Sequence, residues 1–409
     1  MLIKQLIRET LELQGFRIES IEKKDSELLI TIQSDLRYHP RCGVCGIAGD
    51  YRDTLPERRF RHVPIWGVDV NLVYTPCRVS CSECGGIHVE MMPWAAGKKR
   101  LTKALAVTIA TWARQLTWQQ VARQFGCSWG TVAAAVAYVV AFGLVHRDLS
   151  AITHIGIDEI SRQKGHVYLT NVYDLKTGTL IWSGEGRSIV SLEAFFSFFG
   201  PERTKQLQGI CCDMWPAFIN AVKDKAPQAT LVFDKFHIVK QLTEAVDTVR
   251  RQEITEKGKE HKKLVAGSRY IWLKNPWNLT DGQKASLATL EKLNLTIHRA
   301  YLLKESFRDF WSSTTKEAAA KYLEKWYSWA DESEIKPIQD VAGLIKRHEE
   351  NILTYFDMPI SNGIAEGLNN KAKVISHRAY GFRTAKNYIL NLYHCMGNLS
   401  MPTILHSFV

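Results

Sequence analysis

The chain has 409 residues, 45% hydrophobic and 23% charged, with a formal net charge of +11 and a pI near 9.1. That length supports two to four domains and a sizeable core without covalent staples, and the composition is that of an ordinary globular protein. Nine cysteines, four of them in two CxxC pairs, argue against a secreted disulfide framework and for metal binding in a reducing cytoplasm. The positive excess suits a polyanionic partner, because neutralised phosphates release counterions; a charge serving only solubility is the alternative. The first ten residues are broken by charges, unlike a signal peptide. The longest apolar stretch, 132–145, is too short to span a bilayer comfortably. No membrane partner and a cytoplasmic location are therefore expected.

Residues 1–100 read as strands that carry the cysteines. Cys42-Gly-Val-Cys45 and Cys81-Ser-Glu-Cys84 are both knuckles with a glycine just after the second cysteine, where a tight turn lets backbone amides approach the sulfurs. Four thiolates satisfy tetrahedral zinc in a closed, structural site. The 35 residues between the pairs leave room for a hairpin, and Val68–Tyr74 reads as a strand. Cys77 and His88 are spare ligand candidates.

Residues 101–148 read as helices. In the stretch 116–132, Thr117 and Ser128 are placed to cap two helices, with Gly126 at the turn between them. Val121, Ala122 and Phe125 share one face of the first helix, and Val132 and Val136 share one face of the second. This is a helix-turn-helix pattern. Its early exposed positions, Trp129 and Thr131, and Arg123 beside them, would meet base edges or phosphates in a major groove. A helical hairpin that touches no DNA, with Trp129 in its core, is the alternative.

Residues 151–235 alternate strand and helix patterns. Strands are expected at 152–158, 166–173, 179–183, 208–212 and 230–233, and helices at 189–199 and 216–225, with a turn at Lys176-Thr177-Gly178. This order matches a ribonuclease-H-like mixed sheet. Asp158 is expected to end the first strand and Asp213 to follow the fourth; ends of strands are where sites form in open α/β sheets. Glu366 is expected on a helix opened by Ser361-Asn362-Gly363, sharing a face with Asn362, Asn369 or Asn370, and Lys373. Three hard carboxylates from separate elements suit a pair of magnesium ions. Glu159 competes with Asp158 for this role, and Glu366 is also well placed merely to complement a helix dipole. Gly367, costly in a helix, suggests a close backbone approach there. Asp234 ends the next strand and His237 follows it; His237 either contacts a phosphate or is a core histidine bonded to Asp234. No acid follows Glu366, whereas Lys371, Lys373, Arg378 and Arg383 do, a strip suited to gripping phosphates.

Taken in order, these motifs resemble the transposases of the insertion-sequence group ISL-three. The likeness covers nearly the whole chain: the CxxC pairs, Val89-Glu-Met-Met-Pro-Trp-Ala95, Leu116-Thr-Trp118, Gly156-Ile-Asp-Glu159, Gly165-His-Val-Tyr-Leu-Thr170, Asp213-Met-Trp215, Asp234-Lys-Phe-His237, Arg299-Ala-Tyr-Leu-Leu-Lys-Glu305, Ser361-Asn-Gly-Ile-Ala-Glu-Gly-Leu-Asn-Asn-Lys371 and Ala379-Tyr-Gly-Phe-Arg383. The resemblance implies an Asp-Asp-Glu enzyme with the triad Asp158, Asp213 and Glu366, magnesium or manganese as cofactor, and an Asp-x-x-His signature at Asp234 and His237. It also implies a helical insertion before the last carboxylate. Cys77 departs from the pattern, where basic residues are more usual.

The expected architecture is a multidomain chain of α+β and α/β type. Residues 1–100 form a zinc-binding module and 101–148 the helix-turn-helix. Residues 151–240 form the first part of a ribonuclease-H-like core, 241–357 the helical insertion, and 358–409 the last part of the core with its basic tail. The resemblance implies binding of terminal inverted repeats, metal-dependent cutting, and joining of 3′-hydroxyl ends to target DNA, by a homodimer on double-stranded DNA. A non-catalytic regulator derived from such a protein, or a nuclease on the same core, are the rival readings.

Overall fold

The computed structural model describes residues 13–95, 99–163, 167–265, 267–293 and 295–403. Backbone contacts divide the chain into two compact units, Met1–Arg147 with Ser376–Val409, and Asp148–Ile375. The segment 358–409, expected to stay together, is thus divided at Ser376.

In the first unit, β1 (Phe16–Lys24), β2 (Glu27–Ser34), β4 (Arg58–Ile65) and β5 (Val68–Tyr74) form a sheet of order β1-β2-β5-β4. β2 and β5 run parallel, and the other pairs antiparallel. Alternation buries Val70, Leu72 and Tyr74 of β5, which pack with Phe60 and Trp94. A smaller sheet of order β3-β6-β7, from β3 (Asp50–Thr54), β6 (Cys77–Ser80) and β7 (Ile87–Val89), carries the cysteine knuckles.

Three helices follow: α1 (Lys103–Gln115), α2 (Trp118–Gln124) and α3 (Trp129–His146). Thr117 and Gln120 form a capping box at α2, and Ser128 caps α3 by accepting from Thr131 N. Gly126 holds the turn at φ +52°. By length and composition α3 is apolar enough to cross a membrane. Here it is the third helix of the motif, with Val132, Ala135, Val136, Val139, Val140 and Gly143 buried. A Cβ at Gly143 would meet Leu399 Cβ at 2.5 Å, so the chain after Ser376 packs closely on this helix.

The second unit is built on a five-stranded sheet. Its strands are β8 (His154–Gln163), β9 (Val167–Asp174), β10 (Thr179–Glu185), β11 (Gly209–Cys212) and β12 (Thr230–Phe233), in the order β10-β9-β8-β11-β12. The first three are antiparallel, while β8, β11 and β12 are parallel. The expected helices appear at α4 (Ile189–Phe199) and α6 (Pro216–Lys225), with a short α5 (Pro201–Lys205) between them. The turn at Lys176-Thr177-Gly178 forms on Asp174, whose carboxylate accepts from Lys176 N and Thr177 N, with Gly178 at φ +67°. His166, placed in a strand by the sequence reading, lies outside the described residues.

After β12 the chain is helical. α7 (Lys235–Val265) is followed by α8 (Arg269–Leu273), α9 (Asp281–Glu291), α10 (Thr296–Phe310), α11 (Lys316–Glu332), α12 (Lys336–Arg347) and α13 (Glu349–Leu353). Ile238, Leu242 and Val246 of α7 share one buried core with Phe307, Trp326 and Ile345, and with Ile155, Ile210 and Phe233 of the sheet. α14 (Gly363–Arg378) and α15 (Ala385–Met396) end the fold.

Candidate active site and metal centre

The four knuckle cysteines converge. All four sulfurs lie within 4.8 Å of one another, with Cys42 and Cys84 3.6 Å apart and Cys45 and Cys81 3.5 Å apart. Zinc–sulfur bonds of about 2.3 Å put tetrahedral sulfurs roughly 3.8 Å apart, so the set has the dimensions of a four-thiolate site. Gly46 (φ +73°) and Gly85 (φ +68°) make the tight turns behind each second cysteine. The backbone N–H of Cys84 pulls the Cys81 thiol down to about 7, toward the thiolate that binds metal. Cys77 is outside the set. Its buried thiol is pushed up to about 12 by burial and by the neighbouring Glu90 carboxylate. His88 is also outside it, with Nε2 2.9 Å from Gly85 O.

In the second unit Asp158, Asp213, Asp234 and His237 gather around the carboxyl ends of the parallel strands. Asp158 does not end its strand. β8 continues to Gln163 because β9 pairs beside it, Asp158 opposite Asn171. What ends near Asp158 is the parallel neighbour β11, whose pairing with β8 stops at Cys211 opposite Gly156. Asp213 follows β11 and accepts from Trp215 N at 3.2 Å. Asp234 follows β12 and is nearly inaccessible, accepting from Phe236 N and Asn362 N. His237 Nε2 stands 4.0 Å from both Asp158 Oδ1 and Asp234 Oδ2, partly exposed and not hydrogen-bonded to either.

Burial raises the Asp158 carboxyl to about 6, helped by repulsion from Asp213 and Asp234 and partly offset by a backbone N–H and by His237. Asp213 and Asp234 are raised as well, again chiefly by burial. Glu159, the competitor for Asp158, is engaged elsewhere: its Oε1 is ion-paired with Arg187 at 3.0 Å.

Helix α14 is pinned across this cluster by two asparagines. Asn362 Nδ2 donates to Ile157 O at 2.9 Å. Asn369 Nδ2 donates to Asp158 Oδ2 at 2.6 Å, and its own Oδ1 accepts from Tyr173 Oη at 2.5 Å. The close approach explains Gly156, where a Cβ would meet Asn362 Oδ1 at 2.5 Å. Glu366 lies four residues after Asn362 and three before Asn369, so helical spacing puts it on the face these two pin to the strands. Among the described residues the four cysteines are the group whose ligand atoms converge in this way; Asp158, Asp213 and Glu366 do not form such a group. The reading of Gly367 is corrected. It is exposed, and a Cβ there would meet nothing within 4 Å, so no backbone packs on it.

The basic residues after Glu366 fall in both units. Lys371 and Lys373 are exposed on the part of α14 in the second unit, whereas Arg378 and Arg383 are exposed in the first. Arg378 Nη1 donates to Gln115 O at 2.6 Å, closing the end of α1. In the helix-turn-helix, Arg123 is exposed, and Thr131 Oγ1 lies 2.9 Å from the capping Ser128 Oγ. Trp129 is exposed and its ring meets that of the buried Trp118, with ring centroids 5.0 Å apart. Arg187, whose guanidinium stands over the Tyr168 and Trp215 rings, is not among the residues that the sequence singles out. No periodicity or short motif marks it, since its partners are 19 and 28 residues away.

A basic chain with a capped helix-turn-helix, a four-cysteine centre and carboxylates gathered beside the parallel strands of a mixed sheet suits a protein that handles DNA. A transposase family model matches residues 155–392, and the model for the helix-turn-helix domain of transposase family ISL3 matches residues 90–140. The chain is 33% identical over 374 residues to the transposase for insertion sequence element IS1557 of Mycobacterium tuberculosis, covering 85% of this chain and 84% of the relative. It is 29% identical over 354 residues to the transposase for insertion sequence element IS1001 of Bordetella parapertussis, covering 86% and 87%. The chain belongs to the ISL3 family of insertion-sequence transposases.

Proposed function

We propose that the second unit is a ribonuclease-H-like core in which Asp158, Asp213 and Glu366 hold magnesium or manganese and cut and join DNA ends. The strand order β10-β9-β8-β11-β12, with the helices of 235–353 set between β12 and α14, supports this reading. The observation that carries it is the pinning of α14 by Asn362 and Asn369, which turns the Glu366 face toward Asp158. The donor set suits a hard divalent cation: burial first, and repulsion between the carboxylates second, raises their pKa values, and a bound cation would offset both. When bound, such cations supply charge neutralisation for an in-line phosphoryl displacement. The chain's own residues position and exclude. Asn369 orients Asp158, Trp215 N orients Asp213, and the buried Asp234 anchors the first turn of α14. His237, between Asp158 and Asp234, is placed to contact the scissile phosphate or its neighbour.

The four cysteines hold a structural zinc, and the helix-turn-helix reads the terminal repeats of the element through Arg123, Trp129 and Thr131. Lys371, Lys373 and Arg383 contact phosphates, and two chains act together on two DNA ends in the cytoplasm. The test is strand cleavage and joining on a duplex that carries the element's own end. Asp213→Asn should abolish cleavage with Mg2+ or Mn2+ and leave end binding nearly intact. Normal cutting by Asp213→Asn with loss in Asp234→Asn would move the second ligand to Asp234. Cleavage without joining would favour a nuclease.

A further inference from the structure

Arg187 lies in the turn between β10 and α4, and its guanidinium stands over two aromatic rings. The Tyr168 ring centroid lies 4.6 Å from its central carbon and the Trp215 ring centroid 4.5 Å from it. Trp215 is itself tied down: its Nε1–H donates to Arg187 O at 3.1 Å, and its backbone N–H donates to Asp213 Oδ1. In the plane of the guanidinium, Nη1 donates to Glu159 Oε1 at 3.0 Å. Among the described residues the remaining N–H groups have no protein acceptor, and the side chain is about one-third exposed at 36%. A guanidinium held by two rings and one carboxylate keeps in-plane N–H groups for a further partner, and that planar edge matches a phosphate.

The position narrows the partner. Glu159 follows Asp158 directly in β8, and Trp215 is two residues after Asp213. A group held by both residues borders the strand-end carboxylates. An arginine fixed in this way offers its edge to an anion that approaches the carboxylates. A purely structural tie between the two turns would need no exposed edge.

We infer that Arg187 binds a non-bridging oxygen of the scissile phosphate through its free edge, with Tyr168 and Trp215 as the clamp that fixes its plane. This rests on the proposed reading of the carboxylate site. Binding is compared for two end duplexes, one natural and one carrying a neutral methylphosphonate at the cut position, with no magnesium or manganese added. Wild type should bind the neutral duplex about tenfold more weakly, the scale of one charge-assisted hydrogen bond. Arg187→Gln should lose most of that difference. With Mg2+, its cleavage of the natural duplex should fall by about 10²–10³, as when one donor to a developing charge is removed. Thermal melting shows whether Arg187→Gln is folded. A wild type that binds both duplexes equally overturns the proposal without any variant, and so does a folded Arg187→Gln with the full wild-type difference. Failure of the site reading looks different: Asp213→Asn would then cut as fast as wild type.

Discussion

Asn369 reaches across 211 positions of sequence to donate its side-chain amide to Asp158 Oδ2 at 2.6 Å, while Tyr173 Oη donates to the same amide's oxygen. The bond joins α14 to the middle of the sheet and fixes one oxygen of Asp158. It orients a proposed metal ligand, and loss of such a partner typically weakens metal binding by about 10–100-fold. Asn369→Ala is therefore expected to raise the magnesium concentration for half-maximal cleavage by about that factor. End binding, which the proposed function assigns to the helix-turn-helix, should change little. Cleavage rates across a magnesium titration check this, and a variant with the wild-type half-point would sink it.

Much of this was legible before any coordinates. The helices Ile189–Phe199 and Pro216–Lys225 and the strand Thr230–Phe233 have the expected bounds, because their apolar periodicity is uninterrupted and Pro216 marks a helix start. The two CxxC turns converge as their glycines required. What the sequence hid depends on pairing at a distance. Asp158 looked like a strand end because the apolar run stops there, yet β9 continues beside it and keeps the strand going with polar residues. The parallel pairing of β2 with β5 and the clamp around Arg187 have no local signature. Gly367 misled because a helical glycine can mark either a close approach or open space.

The four-cysteine centre should carry about one zinc per chain. Cys42→Ser should lose the metal and destabilise the N-terminal sheets, since binding and folding are coupled there. Cys77→Ser should keep it, because that thiol is buried beside Glu90 and outside the set. Metal analysis by mass spectrometry decides the matter. Full zinc in Cys42→Ser, or its loss in Cys77→Ser, would exchange the roles.

Lys373 and Arg383 are expected to contact phosphate, whereas Arg378 is expected to be structural. Each lost phosphate contact should lower the slope of log affinity against log salt by about 0.9 on duplex DNA. The double change of Lys373 and Arg383 to Ala should flatten the slope and weaken binding to most sequences about equally. Arg378→Ala should leave the slope near wild type and lower stability by about 1 kcal/mol, since its guanidinium serves the Gln115 carbonyl. Titrations over a range of salt separate these cases, and superimposable slopes for wild type and the double variant would assign those charges to solvent.

The raised carboxyl of Asp158 makes stability depend on pH with a definite sign. Its pKa is pushed up to about 6, first by burial, against 3.8 for the free side chain. Between those values the folded chain keeps a proton that the unfolded chain has released, so this group's contribution falls as pH rises through the window and is flat above it. Asp213, Asp234 and Glu159 are shifted in the same direction, while His237 and Arg187 oppose them, so single melting curves would mix several groups. Comparison with Asp158→Asn isolates the one of interest, because the Asn amide does not titrate at any of these pH values. With no magnesium or manganese added, Asp158→Asn should melt above wild type at pH 7, and the gap should shrink as pH falls from 6 toward 4. Added magnesium should reverse the order at pH 7, because the cation needs the ionised carboxylate that Asn lacks. Melting temperatures of the two proteins at pH 4, 5, 6 and 7 measure this directly. A gap that stays constant or widens on acidification would mean that Asp158 is not held protonated by burial in the folded chain.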